Sequence, residues 1–300
     1  MDVREAILNA HHSLIAGTTG SGKSVLLNSV ICEGLKRDYQ FWFIDLKRVE
    51  LNQYKKTKNC LAYATEPETA IALLDDIIDD MDEEYDRMEA KGVKETDRPH
   101  RYLVIDELAD LVSTKGVLEK IVKIGRLGRA AHIHTIGATQ DPSRFTLSAQ
   151  LMQNITCAVA LRCKTAIESR QIIGTDGAET LPQYGKGYVS TYKGVTKVDI
   201  PLTPDEEMRD VIESHRKSQP VKKSSPTPQA KAPDNAPAPV QTVDRFVFTK
   251  HELAVMIYVC VCIIVLLVGM IANPVIFCSV LLFVGLVVCF FVACREYYRK

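Results

Sequence analysis

The sequence carries no net charge, because its 37 lysines and arginines balance its 37 aspartates and glutamates. A chain without a global basic field attracts nucleic acid only through local clusters of lysine and arginine. Its nine cysteines include no CxxC pair and no cysteine–histidine cluster, which argues against a zinc site or a disulfide framework. The first ten residues also lack the charged-then-apolar plan of a secretory signal peptide. These absences indicate a protein that folds in a reducing compartment.

Composition divides the 300 residues into three regions. Residues 1–212 alternate short apolar runs with charged amphipathic stretches, as an α/β domain does. Residues 213–244 are rich in Pro, Ala, Ser and Lys and have almost no bulky apolar residues, which predicts a disordered tether. Residues 245–300 contain two uncharged apolar runs, at about 253–271 and 275–294.

The two apolar runs predict a transmembrane hairpin, because each has about the 20 residues needed to cross a bilayer. Asn273-Pro274 separates them with a tight turn, and basic residues flank both outer ends. By the positive-inside tendency both ends face the cytoplasm. We therefore expect a multi-pass protein of the cell membrane, with lipid as a partner and with both termini and the first domain cytoplasmic. A buried globular hairpin is the alternative.

Strand-like and helix-like segments alternate through the first region. Short apolar strands are expected at 13–16, 41–44, 103–105, 133–138 and 157–162. Helices are expected at 23–36 and after a capping box at Thr65-Glu66-Pro67-Glu68, with the acids Asp75 to Glu89 on the solvated face. The alternation predicts an α/β fold with a mainly parallel sheet and helices on both faces.

Residues 17–24 match the phosphate-binding pattern G-x-x-x-x-G-K-[ST] without a mismatch, between an apolar strand and an amphipathic helix. Glycines let the backbone turn its N–H groups toward phosphate oxygens. Lys23 is expected to reach the β- and γ-phosphates and Ser24 to bind Mg²⁺. The sequence therefore predicts ATP and Mg²⁺ as cofactors, with ATP held by Gly17, Thr18, Thr19, Gly20, Ser21, Gly22, Lys23, Ser24 and Val25. A chance match in a flexible loop is the alternative.

Polar residues follow two further apolar strands, at the strand ends where open α/β sheets bind ligands. Asp106 is expected to hold the Mg²⁺ shell, and Glu107 to orient and polarise the attacking water. Gln140 is a candidate to contact the γ-phosphate or that water. For each residue, a plain strand-terminal turn is the alternative.

Basic residues recur at about helical spacing at Lys120, Lys123, Arg126 and Arg129. A solvated helix face, a phosphate-contacting surface and an arginine finger reaching a neighbouring subunit's ATP are the three interpretations, and spacing alone favours the first. A second basic group is a candidate for DNA phosphate contacts, with ordinary surface solubility as its alternative: Lys47, Arg48, Lys55, Lys56 and Lys58.

Taken in order, these motifs resemble the motor domain of the FtsK/SpoIIIE DNA translocase family. The similar segments are LIAGTTGSGKSVLLNSVI (14–31), FIDLKRVEL (43–51), EEYDRMEAKGV (83–93), LVIDELADL (103–111), GRAAHIHTIGATQDPS (128–143) and ESRQIIGTDGAETL (168–181). The resemblance implies a RecA-like fold, a hexameric ring and ATP-driven movement of duplex DNA. It further implies that Arg129 is the arginine finger and Gln140 the sensor after its strand.

The chain departs from the family in two ways that concern DNA grip and anchoring. Asp141 stands where the family has an arginine, and the apolar runs follow the motor instead of preceding it. We expect a membrane-anchored, ATP-driven translocase of double-stranded DNA that acts as a homo-oligomeric ring in DNA transfer, segregation or packaging. Two alternatives remain open: a membrane assembly or secretion ATPase with a protein cargo, and a non-hydrolysing nucleotide-binding membrane scaffold.

Overall fold

The structure, a computed structural model, describes residues 1–143 and 145–217. All of them belong to one compact unit. The predicted tether from residue 218 onward and both predicted membrane-spanning runs lie outside the described residues. Within the described part of the chain, no helix combines the length and the apolar character needed to cross a membrane.

One sheet forms the centre of this unit, and its described strands are β1 (His12–Ala16), β2 (Gln40–Ile44), β3 (Cys60–Ala64), β4 (Arg101–Ile105), β5 (Ile133–Thr139), β6 (Cys157–Ala160), β7 (Lys186–Thr191) and β8 (Gly194–Asp199). Their order across the sheet is β3-β2-β4-β5-β1-β6-β7-β8. Strands β1 to β6 pair in parallel, whereas β7 pairs antiparallel with both β6 and β8. The mainly parallel sheet predicted from the sequence is confirmed.

Helices cover both faces of the sheet, and those described are α1 (Val3–Leu8), α2 (Lys23–Lys36), α3 (Pro67–Lys91), α4 (Leu108–Val112), α5 (Val117–Leu127), α6 (Ala149–Met152), α7 (Ala166–Ile173) and α8 (Asp205–Ser214). Two apolar clusters result, one with α3, α4 and α5 and the other with α1 and α2. Strand β1 contributes Leu14 to the first cluster and Ile15 to the second, because successive side chains point to opposite faces.

The N-terminus of α3 differs from the predicted capping box. Its N-cap is Glu66, not Thr65, and the backbone N–H of Glu66 donates to Thr69 Oγ1 at 3.1 Å. Pro67 therefore occupies the first helical position, where its missing N–H leaves no intrahelical bond unmade.

The acids of α3 do not all face solvent, contrary to the sequence expectation. Glu84 is 1% exposed, and it accepts from Thr96 Oγ1 at 2.6 Å while Arg98 Nε lies 2.8 Å away. Asp80 pairs with both Arg98 and the buried Arg101. Because a buried charge is costly unless it is paired, these contacts fix α3 against the segment that leads into β4.

The folded part of the chain continues beyond residue 212. Helix α8 packs on α2, where Thr203 Oγ1 donates to Ser29 Oγ at 2.9 Å and Lys36 Nζ lies 2.6 Å from Glu207. The N–H of Lys58 donates to the carbonyl of His215 at 2.6 Å. These contacts extend the domain to the last described residue, Lys217.

Candidate nucleotide-binding site

The phosphate-binding loop, residues 17–22, connects β1 to α2, and its glycines are sterically required. Gly20 and Gly22 have φ of +74° and +95°, which side chains disfavour. At Gly17 an added Cβ would lie 2.7 Å from Ser21 Oγ and 2.8 Å from Leu161 Cβ. Gly17 leaves no room for a side chain, and at Gly20 and Gly22 the backbone conformation strains any residue other than glycine.

The ends of β5 and β6 anchor the loop from both sides. The N–H of Gly17 donates to the carbonyl of Thr139 at 3.3 Å, and the N–H of Thr18 donates to the carbonyl of Arg162 at 2.9 Å. Thr19 Oγ1 donates to Gln140 Oε1 at 2.6 Å. The loop is thus held in shape where the first turn of α2 exposes N–H groups without intrahelical acceptors, an arrangement suited to phosphate.

Lys23 is the first residue of α2 and is only 8% exposed. Burial lowers the pKa of its ammonium, while the nearby carboxylates of Glu107 and Asp106 act against this shift. The structure therefore brings Lys23 to the two acids that follow β4. Ser24 and Val25 come next in the first turn of α2, with Val25 41% exposed.

Glu107 is held in place by the end of β5. Its Oε1 accepts from Thr139 Oγ1 at 2.7 Å and from the N–H of Gln140 at 3.0 Å, and its Oε2 accepts from the same N–H at 3.1 Å. Lys47 Nζ lies 3.8 Å from Oε2. Because Gln140 also bonds Thr19, the carboxylate is fixed relative to the phosphate-binding loop.

Asp106 lies at the carboxyl end of β4, near the carboxylates of Asp45, Glu50 and Glu107. Burial, followed by the charges of Asp45 and Glu50, raises the pKa of Asp106 to about 6, against the opposing effect of Lys23. A divalent cation removes such repulsion, and carboxylate and hydroxyl oxygens are the ligands that Mg²⁺ prefers. The residues present, Asp106 and Ser24, therefore fit Mg²⁺.

Asp45 also belongs to this site but was missed from the sequence, whereas Lys47 was assigned there to DNA phosphate contacts. Asp45 is fully buried after β2, and its Oδ2 accepts from the N–H of Leu51 at 3.0 Å and from Tyr63 Oη at 3.1 Å. Its Oδ1 has no hydrogen-bond partner among the described residues. The sequence does contain a signal for Asp45: the apolar run FWFI precedes it, just as the apolar run LVI precedes Asp106.

The four basic residues of the α5 region separate into two kinds. Lys120 and Lys123 pair with acids of α3, Asp75 and Asp82, so their charges are already compensated. Arg126 and Arg129 are exposed, and the described residues place no carboxylate within ion-pair distance of either one. Lys120 and Lys123 thus behave as paired residues of a helix surface, and the phosphate-contact and arginine-finger interpretations apply only to Arg126 and Arg129.

Arg129 lies away from the phosphate-binding loop of its own chain. Burial first and then the charge of Arg129 lower the pKa of His11, so the guanidinium lies near that residue. His11 precedes β1 whereas the loop follows it, and a five-residue strand spans about 16 Å. Arg129 and the phosphate site thus lie at opposite edges of the sheet.

Most of the basic residues proposed for DNA contact have partners. The ion pairs are Lys47 with Glu107 and Asp110, Arg48 with Glu66 and Lys58 with Asp38, while Lys55 lies over the ring of Tyr63. Partial burial disfavours the charge of Lys47, yet Asp110 and Glu107 outweigh it and raise its pKa. Lys47 therefore belongs to the nucleotide site more than to an open basic surface.

Comparison with known proteins gives a family and a fold. Residues 2–104 match the model of the FtsK/SpoIIIE family. The DNA translocase FtsK of Helicobacter pylori strain J99 is 33% identical over 224 residues, covering 67% of this chain and 26% of that protein. The DNA translocase FtsK of Staphylococcus aureus strain Mu50 is 35% identical over 231 residues, covering 67% and 29%. The chain thus spans less than a third of these relatives.

Solved structures share the fold at lower identity. The pCW3 conjugation coupling protein TcpA, in its monomer form with ATPγS, has a TM-score of 0.63 and 22% identity over 70% of this chain and 66% of that one. The cytoplasmic domain of the Thermomonospora curvata type VII secretion ATPase EccC has a TM-score of 0.55 and 23% identity over 70% and 28%. The RecA-like P-loop fold predicted from the sequence is confirmed.

Proposed function

Because the chain contains a domain of the FtsK/SpoIIIE family, we propose that it is an ATP-driven translocase of double-stranded DNA. The observation that carries the proposal is the position of Glu107, beside Asp106 and Lys23 and bonded to the strand end that anchors the phosphate-binding loop. The relatives that are 33% and 35% identical are DNA translocases, which supports DNA as the substrate.

In this proposal each residue of the site has one task in ATP hydrolysis. Lys23 and the loop N–H groups bind the phosphates, and Asp106 and Ser24 hold the metal shell. Mg²⁺, when bound, neutralises charge on the β- and γ-phosphate oxygens. Glu107 orients the attacking water, and Gln140 links that carboxylate to Thr19 of the loop. Loss of the γ-phosphate would therefore alter the contacts at the end of β5.

The test is ATP turnover by the full chain in detergent, without DNA, with single-stranded DNA and with linear duplex DNA. We expect the duplex to stimulate turnover several-fold and the stimulation to fall steeply with salt, because phosphate contacts release counterions. Lys23→Ala and Glu107→Gln should abolish turnover. A turnover rate that duplex DNA does not change at any salt concentration would exclude DNA translocation. A turnover rate that rises with a protein partner would favour the secretion or assembly alternative.

We further propose that residues 253–271 and 275–294 anchor the chain as a hairpin, with the ATPase domain on the cytoplasmic face. Their two uncharged runs of about bilayer length and the basic residues at both outer ends support this topology. In intact cells a membrane-impermeant thiol reagent should label an Asn273→Cys variant and leave a Lys300→Cys variant unlabelled. Recovery of the chain in the soluble fraction would contradict the anchor.

A further inference from the structure

The phosphate-binding loop has a second flank, on the side away from the hydrolytic residues. In the sheet, β5 and then β4 lie on one side of β1, and β6 and then β7 lie on the other. Asp106 and Glu107 follow β4, so the γ-phosphate of a bound nucleotide must face that side. The nucleoside half must then extend in the opposite direction, over the ends of β6 and the segment that enters β7.

That flank is built from the segment that follows β6 and the turn before β7. The carbonyl of Arg162 accepts from both the N–H and the hydroxyl of Thr18, at 2.9 and 3.2 Å. In the turn, Gln183 Nε2 lies 3.5 Å from the position that a Cβ on Gly20 would occupy. The carboxamide therefore rests against the tip of the phosphate-binding loop, and the next residue, Tyr184, is 64% exposed.

The turn has a defined shape. Gly185 adopts a φ of +77°, and its carbonyl accepts from the N–H of Ile200 at 3.0 Å. Pro182 restricts the backbone on the other side, and Leu181 is buried in the core cluster. Gln183 and Tyr184 are thus presented beside the loop by a backbone that is held at both ends.

The side chains in this turn match the chemistry of a nucleobase. Aromatic faces stack on bases, and a tyrosine ring does so at low cost in conformational entropy. A carboxamide offers two donors and an acceptor, which suits the mixed hydrogen-bonding edge of a purine.

We propose that Gln183 and Tyr184 form the nucleobase site of this ATPase, with the base stacked on Tyr184 and its polar edge on the carboxamide of Gln183. The inference rests on the proposed function, since it names the residues that distinguish ATP from a bare triphosphate at the same loop. It makes the turn before β7 a specificity element, while affinity for the phosphates stays with Lys23 and the loop.

The test compares two ligands, Mg·ATP and Mg-bound inorganic tripolyphosphate, by calorimetric titration of the full chain. Tyr184→Ala should weaken ATP binding about tenfold, or about 1.4 kcal/mol, and leave tripolyphosphate binding unchanged. Tyr184→Phe should retain ATP affinity, because the ring is kept. Gln183→Ala should weaken ATP binding about threefold. The matched control is Tyr192→Ala, since Tyr192 is 91% exposed in the β7–β8 turn, and both ligands should bind it as they bind the wild type.

The outcomes separate this inference from the function on which it rests. If Tyr184→Ala and Gln183→Ala bind ATP with wild-type affinity, the nucleobase site is wrong although the ATPase stands. Equal losses for ATP and tripolyphosphate would also overturn it, because they would indicate damage to the phosphate-binding loop. A wild-type chain that binds neither ligand would overturn the proposed function and this inference together.

Discussion

At the scale of single residues, the hydroxyl of Thr139 tests how Glu107 is positioned. It is fully buried and donates to Glu107 Oε1 at 2.7 Å. Thr139→Val removes that donor while keeping the shape of the side chain. We expect kcat for ATP hydrolysis to fall about tenfold with little change in KM, because Glu107 orients less well. Urea unfolding should show a loss of about 1–3 kcal/mol, since a buried acceptor loses a partner.

Thr135 provides the control on the same strand. It is 5% exposed, and its Oγ1 has no hydrogen-bond partner among the described residues. Thr135→Val should therefore preserve turnover and keep or raise the free energy of unfolding, because it removes an unsatisfied buried hydroxyl. Equal losses of turnover in the two variants would assign the effect to packing of β5 and not to the bond with Glu107.

The raised pKa of Asp106, about 6, predicts an acid limb in the pH profile. A protonated carboxyl is a poor ligand for a cation, so kcat/KM for ATP should fall as pH drops through about 6. Burial and the charges of Asp45 and Glu50 cause the shift. Asp45→Asn removes one of those charges and should move the limb to lower pH; a limb that stays in place would exclude Asp45 as a cause.

The same pKa has a defined effect on stability. The folded-state pKa of Asp106 lies above its ordinary value of 3.8. Its contribution to stability is therefore fully present below about pH 4 and is lost as pH rises through about 6. Without nucleotide and Mg²⁺, the wild type should lose more stability across this interval than Asp45→Asn does, as urea unfolding at each pH would show.

At the scale of secondary structure elements, the sequence patterns predicted the helices and strands that have a clear local periodicity. Helix α2 spans Lys23–Lys36 as predicted, and the motif residues Lys23, Asp106 and Glu107 lie together because parallel strands end at one edge of the sheet. Strand β3 was not among the predicted strands, although all five residues of its CLAYA run are apolar.

Contacts that depend on strand order were beyond the sequence. Asp45 approaches Asp106 because β2 pairs with β4, which no spacing along the chain reveals. Gln183 approaches Gly20 because an antiparallel strand, β7, follows β6 in the sheet. Histidines scattered from residue 11 to residue 134 likewise meet at the amino edge, where His100 Nδ1 and His134 Nε2 lie 2.8 Å apart.

The ion pairs between α3 and the segment before β4 predict a stability effect separate from the nucleotide site. Glu84 is 1% exposed and bonds Thr96 and Arg98. Glu84→Ala removes the acceptor of the Thr96 hydroxyl and one of the two carboxylates that pair with Arg98, and should lower the free energy of unfolding by about 3 kcal/mol. ATP affinity of the folded variant should be unchanged. Glu83→Ala, one residue away and exposed, should change stability by less than about 0.5 kcal/mol; similar losses in both variants would contradict a role for the buried pair.

At the scale of the whole molecule, the position of Arg129 bears on how chains assemble. Its guanidinium lies near His11, at the sheet edge opposite the phosphate-binding loop. If Arg129 is the arginine finger, it can serve only the site of a neighbouring chain. A head-to-tail interface of this kind closes into a ring when the rotation between subunits permits. Activity per chain should therefore rise with protein concentration as the ring assembles.

Mixing two inactive variants tests that arrangement directly. Arg129→Ala keeps its own site but gives its neighbour no finger, and Glu107→Gln gives the finger but cannot hydrolyse ATP. In a random equal mixture half of the sites are intact, and half of those face a neighbour with Arg129. If each site hydrolyses ATP independently of the others, the mixture should recover about a quarter of wild-type turnover, whereas each variant alone stays inactive. Arg126→Ala, exposed on the preceding turn, is the matched control and should remain active alone. A mixture as inactive as its components would contradict a finger that acts between chains.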